Sequence, residues 1–128
     1  DDNKTMRTII AEICNTYNFE VVGAAENGQE GVEKYIALKP DIVTMDILMP
    51  VMSGLEAIRR IKFEDNDSKI IVISSLSEKI EMQKCLLSGA EYYMIKPFEA
   101  DDFIEICNGV NEGRISFEQQ LEKIMGSK

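Results

Sequence analysis

Histidine is absent from this 128-residue chain, and its absence removes several kinds of chemistry. Without an imidazole, the chain cannot build a Ser/His or Cys/His nucleophile pair, and it cannot itself carry a phosphohistidine. Its three cysteines, Cys14, Cys85 and Cys107, are widely spaced and form no CxxC pair. The sequence therefore argues against structural zinc, and we expect three buried thiols in a reducing, cytoplasmic compartment.

Long apolar runs and positive charge are also scarce. The longest apolar runs, such as Ile70–Ile73, are far shorter than the roughly 20 residues that span a bilayer. The 14 Lys and Arg residues are outnumbered by 23 Asp and Glu residues, which gives a net charge of −9. The short apolar runs lead us to expect no membrane insertion. Because binding to a phosphate backbone depends on Lys and Arg, we also expect no direct nucleic-acid binding by this domain.

What the chain does have is an alternation of strand-like and helix-like segments, which predicts an α/β fold with a parallel sheet. Hydrophobic spacing predicts strands at residues 20–25, 42–45, 70–73 and 92–95 and helices at 5–16, 27–38, 55–62, 78–88 and 101–110. Asn27, followed by Glu30 three residues later, is typical of a helix N-terminus. Gly89 is typical of a helix that ends in a left-handed residue.

Polar residues stand where the predicted strands end. Asp46, Ser74 and Lys96 follow three successive strands, and Asp1 and Asp2 stand where a further strand would end. Any one of them alone would be interpreted as a cap or turn residue. Together they would meet at the carboxyl edge of a parallel sheet, where ligands bind. Three carboxylates there would repel one another without a divalent cation, and hard oxygen ligands suit Mg²⁺.

These residues, in this order, resemble the receiver (CheY-like) domain of bacterial two-component response regulators. The resemblance covers about residues 1–110. It rests on Asp1-Asp2, Pro40–Pro50, Met52-Ser53-Gly54, Ser74-Ser75, Gly89-Ala90, Tyr93 and Lys96-Pro97-Phe98. It implies a flavodoxin-like, doubly wound parallel sheet with strand order 2-1-3-4-5.

The first strand of that order is missing from the sequence. A lost central strand would forfeit burial energy comparable to the whole stability of a domain, so we expect about six to ten residues upstream of Asp1, ending in an apolar run. Donation of the strand by a partner chain is the alternative.

The resemblance implies a phosphoacceptor and a metal site. Asp46 corresponds to the phosphoacceptor of the family. Asp1, Asp2, Asp46 and the backbone carbonyl of Leu48 correspond to the residues that bind Mg²⁺. The metal would balance the charge of the carboxylates and the phosphoryl group.

Further residues correspond to the groups that bind the phosphoryl group and respond to it. Lys96 would pair with it, Ser74 would hydrogen-bond it, and Tyr93 would act with Ser74 as the aromatic switch. Leu48 and Leu76 occupy positions that influence phosphoryl lifetime in this family. Neither can orient an attacking water, so we expect slow hydrolysis. A cis peptide bond before Pro97 is also implied.

The implied function is signal reception rather than turnover of a substrate. The chain would accept a phosphoryl group from a sensor histidine kinase and switch conformation to control an output partner, with a phosphorylation-dependent dimer as one form of response. A stand-alone chemotaxis-type regulator and a receiver excised from a longer DNA-binding regulator both fit. The stretch from Lys39 to Asp46 modestly favours the chemotaxis type.

Other classes of protein fit the sequence less well. An aspartyl-phosphate hydrolase of the haloacid-dehalogenase kind would need a second Asp two residues after the nucleophile, where this chain has Leu48. A flavodoxin-type flavin carrier would need a Ser/Thr/Gly-rich phosphate loop after its first strand. A purely structural module would not need Asp, Ser and Lys at one edge.

The sequence divides into a receiver domain at residues 1–110 and a tail at 111–128. Phe117, Leu121, Ile124 and Met125 of the tail form one apolar stripe at helical spacing. A helix this short is marginal alone, so we expect it to form only by packing on this domain or on another copy. A linker is the alternative.

Overall fold

The architecture of the chain was taken from a computed structural model, which describes residues 3–17, 19, 27–46 and 53–126. The described elements, in chain order, are α1 (Asn3–Thr16), α2 (Gly28–Leu38), β1 (Val43–Met45), α3 (Gly54–Glu64), β2 (Ile70–Ser74), α4 (Lys79–Ser88), β3 (Tyr92–Ile95), α5 (Ala100–Asn111) and α6 (Phe117–Gly126). Across these ranges, every helix is too short or too polar to cross a membrane.

The described part of the sheet is parallel and has the order β1-β2-β3. Val43 of β1 lies opposite Ile70 of β2, and Val72 of β2 lies opposite Tyr93 of β3. Every residue of β2 is buried, as expected for a parallel strand covered on both faces. The order agrees with the last three strands of the predicted sheet, while the strand predicted at 20–25 lies outside the described residues.

Successive side chains of β2 enter two cores on opposite faces of the sheet. Ile70 and Val72 pack with buried residues of α2, α3 and α4. Ile71 and Ile73 pack with buried residues of α1 and α5. The sheet is therefore the middle of three layers, which leaves its carboxyl edge available for a site.

Local signals set most helix boundaries. The Asn27 side chain accepts a hydrogen bond of 2.8 Å from the Glu30 amide and begins α2, as predicted. Ser53 begins α3 in the same way, which extends the helix predicted at 55–62 by one residue at its start. Gly89 ends α4 with φ at +125°, which is positive but outside the left-handed helical region predicted for it.

The three cysteines are free and buried. Burial raises the pKa of Cys85 to about 11 and that of Cys107 to about 12, and it also raises the pKa of Cys14. These thiols therefore stay protonated near neutral pH and serve as small apolar core residues, as the sequence predicts.

Helix α6 packs on the domain. Its Phe117, Leu121 and Ile124 side chains contact the core on the α4 side of the sheet. The apolar stripe thus forms a helix by packing on this domain, which is one of the alternatives that the sequence left open. The division of the chain at residue 110 stays a prediction.

Candidate functional site

Three of the predicted site residues lie at neighbouring strand ends. Asp46 follows β1, Ser74 is the last residue of β2, and Lys96 follows β3. The Lys96 amide donates a hydrogen bond of 2.8 Å to the Ser74 carbonyl, which extends the β2–β3 pairing into the site. The parallel arrangement therefore brings a carboxylate, a hydroxyl and an ammonium group to one edge, as expected for a ligand site in such a sheet.

Asp46 and Lys96 form an ion pair at this edge. The Lys96 Nζ atom lies 3.6 Å from the Asp46 Oδ2 atom, and the two side chains are 12% and 19% exposed. This distance exceeds that of an N–H···O hydrogen bond, so the attraction between these two atoms is Coulombic. Because water screens the pair only in part, added negative charge on Asp46 would be stabilised by Lys96.

Ser74 belongs to a buried polar network behind the ion pair. The Leu76 amide donates a hydrogen bond of 3.1 Å to the Ser74 Oγ atom, and the Tyr93 hydroxyl donates one of 2.7 Å to the Leu76 carbonyl. Ser74 and Tyr93 are each 1% exposed. Burial raises the pKa of Tyr93, and its hydrogen bond with Ser74 partly opposes that rise. Tyr93 is therefore a neutral group fixed against Ser74 and the β2–α4 loop.

The remaining predicted site residues, Asp1, Asp2 and Leu48, lie outside the described residues. Within the described ranges, no three His, Cys, Asp or Glu side chains cluster closely enough to hold a metal ion. Asp46 supplies one hard oxygen ligand of the kind that Mg²⁺ prefers. The described donor chemistry fits one ligand position of the predicted metal site.

A residue outside the predicted set also contacts Tyr93. Gln120 of α6 accepts a hydrogen bond of 2.8 Å from the Tyr93 amide and donates one of 2.8 Å to the Tyr93 carbonyl. A signal for it exists, because Gln120 interrupts the apolar stripe of Phe117, Leu121 and Ile124, and a polar group on a packed face needs a partner. The peptide bond between Lys96 and Pro97 is cis, as predicted.

Comparisons of sequence identify relatives over most of the chain. The sequence model of the response regulator receiver domain matches residues 1–108. The chemotaxis protein CheY of Thermotoga maritima is 42% identical over 112 residues, which cover 88% of this chain and 93% of that protein. CheY of Listeria monocytogenes is 45% identical over 105 residues, which cover 82% of this chain and 88% of that protein.

Solved structures show the same fold. A chain of the CheX-CheY-BeF3-Mg+2 complex from Borrelia burgdorferi has a TM-score of 0.81 and 30% identity, with coverage of 86% of this chain and 84% of that chain. The response regulator domain of CheB from Thermotoga maritima has a TM-score of 0.80 and 33% identity, with coverage of 88% and 92%. The predicted flavodoxin-like fold is confirmed, and the chain belongs to the response regulator receiver domain family.

Proposed function

We propose that Asp46 accepts a phosphoryl group from a sensor histidine kinase and that the resulting change of conformation controls an output partner. The observation that most supports this proposal is the 3.6 Å separation of Lys96 Nζ and Asp46 Oδ2 at the carboxyl edge of the sheet. Because these 128 residues contain no histidine, a phosphohistidine donor must lie outside them. The 42–45% identity to CheY proteins supports a chemotaxis-type output.

The proposed reaction is an in-line displacement at phosphorus. A carboxylate oxygen of Asp46 attacks, the new O–P bond forms as the P–N bond of the phosphohistidine breaks, and the departing imidazole nitrogen keeps the electron pair. Such a transfer needs positioning and charge stabilisation more than covalent help from the protein. Lys96 is placed to offset the charge that the phosphoryl oxygens bring to the site.

We assign the metal site to Mg²⁺, held by Asp46 together with Asp1, Asp2 and the carbonyl of Leu48. When bound, Mg²⁺ supplies positive charge that offsets the carboxylates and the phosphoryl oxygens. Support comes from the carboxylate chemistry of Asp46 and from the related CheX-CheY-BeF3-Mg+2 complex of Borrelia burgdorferi.

Ser74 and Tyr93 form the proposed switch. The Ser74 hydroxyl, now bonded to the Leu76 amide, would turn to donate to a phosphoryl oxygen on Asp46. That rotation would remove the partner of the Leu76 amide, so the charge change at Asp46 would alter the β2–α4 loop, to which the Tyr93 hydroxyl is bonded. The protein would act as a signalling domain that catalyses only its own phosphorylation and dephosphorylation.

Phosphorylation by a small donor tests the acceptor. We expect acetyl phosphate with Mg²⁺ to add the mass of one phosphoryl group to the intact protein and none to Asp46→Asn. Asp41→Asn is the matched control, because Asp41 is an exposed aspartate two residues before the start of β1. Equal labelling of Asp46→Asn and the wild type would show that Asp46 is not the acceptor.

A further inference from the structure

The Gln120 amide occupies the place of a neighbouring strand beside β3. The strand β3 lies at the edge of the described sheet, and such an edge presents unpaired backbone groups. The Gln120 side chain satisfies both the amide and the carbonyl of Tyr93, each at 2.8 Å. The two hydrogen bonds from this side chain of α6 therefore depend on the position of the Tyr93 backbone.

The rest of the α6 contact is apolar and incomplete. Phe117, Leu121 and Ile124 pack against the α4-side core, but each of them stays half-buried. A ten-residue helix is marginal in water without tertiary contacts. Helix α6 is therefore held by a small interface, and losing that interface would also favour loss of the helix.

The connection to α6 is fixed on the side of α5. The amides of Arg114 and Ile115 donate hydrogen bonds of 2.8 Å and 3.0 Å to the Gly109 carbonyl. The Ile115 side chain lies against Gly109 so closely that a Cβ atom there would come within 2.3 Å of it. Helix α6 could therefore detach as a unit while residues up to Ile115 stay on α5.

Tyr93 connects this interface to the phosphorylation site. Its backbone is held by Gln120, and its hydroxyl is held by the carbonyl of Leu76, whose amide bonds to the Ser74 hydroxyl. Ser74 is in turn hydrogen-bonded through its carbonyl to Lys96, the partner of Asp46. If a phosphoryl group takes the Ser74 hydroxyl, the Leu76 amide loses its partner, and Leu76 is the residue whose carbonyl holds the Tyr93 hydroxyl. The aligned pair of bonds to Gln120 depends on Tyr93 keeping its position.

We propose that α6 is a displaceable cover of the β3 edge, docked while Asp46 is unphosphorylated and released when Asp46 is phosphorylated. This inference rests on the proposed function. Release would uncover the β3 edge at Tyr93 and the adjoining face of α4. Because coupling between sites is reciprocal, a change that weakens α6 docking should strengthen binding of a phosphoryl analogue, at most by the factor by which the analogue weakens docking.

Hydrogen exchange of the full chain tests the release directly. With Mg²⁺ and beryllium fluoride as the phosphoryl analogue, we expect exchange across residues 117–126 to rise by roughly 5–150-fold, the usual range of coupling between sites. Exchange in α5 should stay slow, since the buried residues of α5 pack in the core on the opposite face of the sheet from Tyr93.

Two variants on the same helix test the reciprocity. Gln120→Met should speed exchange of 117–126 without the analogue and tighten the binding of beryllium fluoride, measured by titration calorimetry, by at most the factor by which the analogue speeds that exchange. Gln119→Met is the matched control, because Gln119 is exposed and its side chain donates to the Arg114 carbonyl of the connector rather than to β3. It should leave the affinity for the analogue unchanged.

The results distinguish a failure of α6 release from a failure of Asp46 phosphorylation. If the analogue binds and exchange of 117–126 is unchanged or slower, the release is wrong while the proposed function stands. An unchanged affinity in Gln120→Met would also overturn the release. If the analogue fails to bind and acetyl phosphate fails to label Asp46, the proposed function fails and the inference fails with it.

Discussion

The Tyr35 hydroxyl of α2 donates a hydrogen bond of 2.7 Å to the Asp65 carboxylate at the end of α3. Burial, followed by this bond to Asp65, raises the pKa of Tyr35 to about 12. The bond from Tyr35, followed by that from the Asp67 amide, lowers the pKa of Asp65. The bond thus stabilises the packing of α2 on α3 over the pH range in which Asp65 is ionised and Tyr35 is protonated.

Replacing Tyr35 should reveal this contribution through its dependence on pH. We expect Tyr35→Phe to lose about 0.5–1.5 kcal/mol of unfolding free energy near neutral pH, since it removes one hydrogen bond and keeps the ring. Because the folded state raises the Tyr35 pKa, the contribution is complete below about pH 10 and is lost as the pH rises towards 12. In urea denaturation, the difference in unfolding free energy between Tyr35→Phe and the wild type should therefore be smaller at about pH 11 than at about pH 7.

Tyr92→Phe is the control for this prediction. Tyr92 is half-buried, and no hydrogen bond of its hydroxyl occurs among the described residues. Its loss should change the unfolding free energy by less than about 0.5 kcal/mol at neutral pH. A Tyr35→Phe variant as stable as the wild type at neutral pH would show that the bond contributes nothing.

Lys96 should be needed for the conformational response to phosphorylation rather than for the phosphorylation of Asp46 itself. We expect Lys96→Met to keep some phosphorylation by acetyl phosphate, because Asp46 is intact, but to lose the change in hydrogen exchange that follows labelling in the wild type. Lys84→Met is the control, since Lys84 is exposed on α4 and a surface ion pair such as its 3.9 Å contact with Glu81 contributes little to stability. A normal exchange response in labelled Lys96→Met would contradict the role of Lys96.

Gly89 should tolerate a side chain less well than Gly113. Both have positive φ, but a Cβ atom at Gly89 would lie 2.7 Å from Lys62 Cγ, whereas one at Gly113 meets nothing within 4 Å. Lys62 cannot move cheaply, because its ammonium group is bonded to the Ser68 carbonyl and the Glu91 carboxylate. We expect a loss of about 1 kcal/mol for Gly113→Ala and about 2–3 kcal/mol for Gly89→Ala. Equal losses in urea denaturation would show that Lys62 adjusts freely.

Local features of the sequence predicted the fold well because short-range physics decides them. The Asn27 cap depends on an amide three residues away, and the apolar run Ile70–Ile73 of β2 requires burial on both faces wherever it lies. The meeting of Asp46, Ser74 and Lys96 also follows from a general property of parallel sheets.

Long-range polar contacts could not be predicted in the same way. The partner of Gln120 is 27 residues away, and nothing in the helical spacing says which backbone its amide would meet. The stripe that contains Leu121 predicted a buried face of α6 but not the surface that covers it. The role of the Leu76 carbonyl as an acceptor could not be predicted for another reason, because every residue carries a backbone carbonyl and the sequence does not mark one from another.

The most direct test of the central claim is the chemical position of the phosphoryl group. Borohydride attacks the acyl carbon of an aspartyl phosphate, releases phosphate and reduces that carbon to an alcohol, which marks the acceptor permanently. After labelling with acetyl phosphate and Mg²⁺, peptide mass mapping should find the reduced side chain at position 46 and at no other aspartate. A reduced side chain at Asp41 or another carboxylate, or an unreduced Asp46 in the labelled protein, would contradict the account.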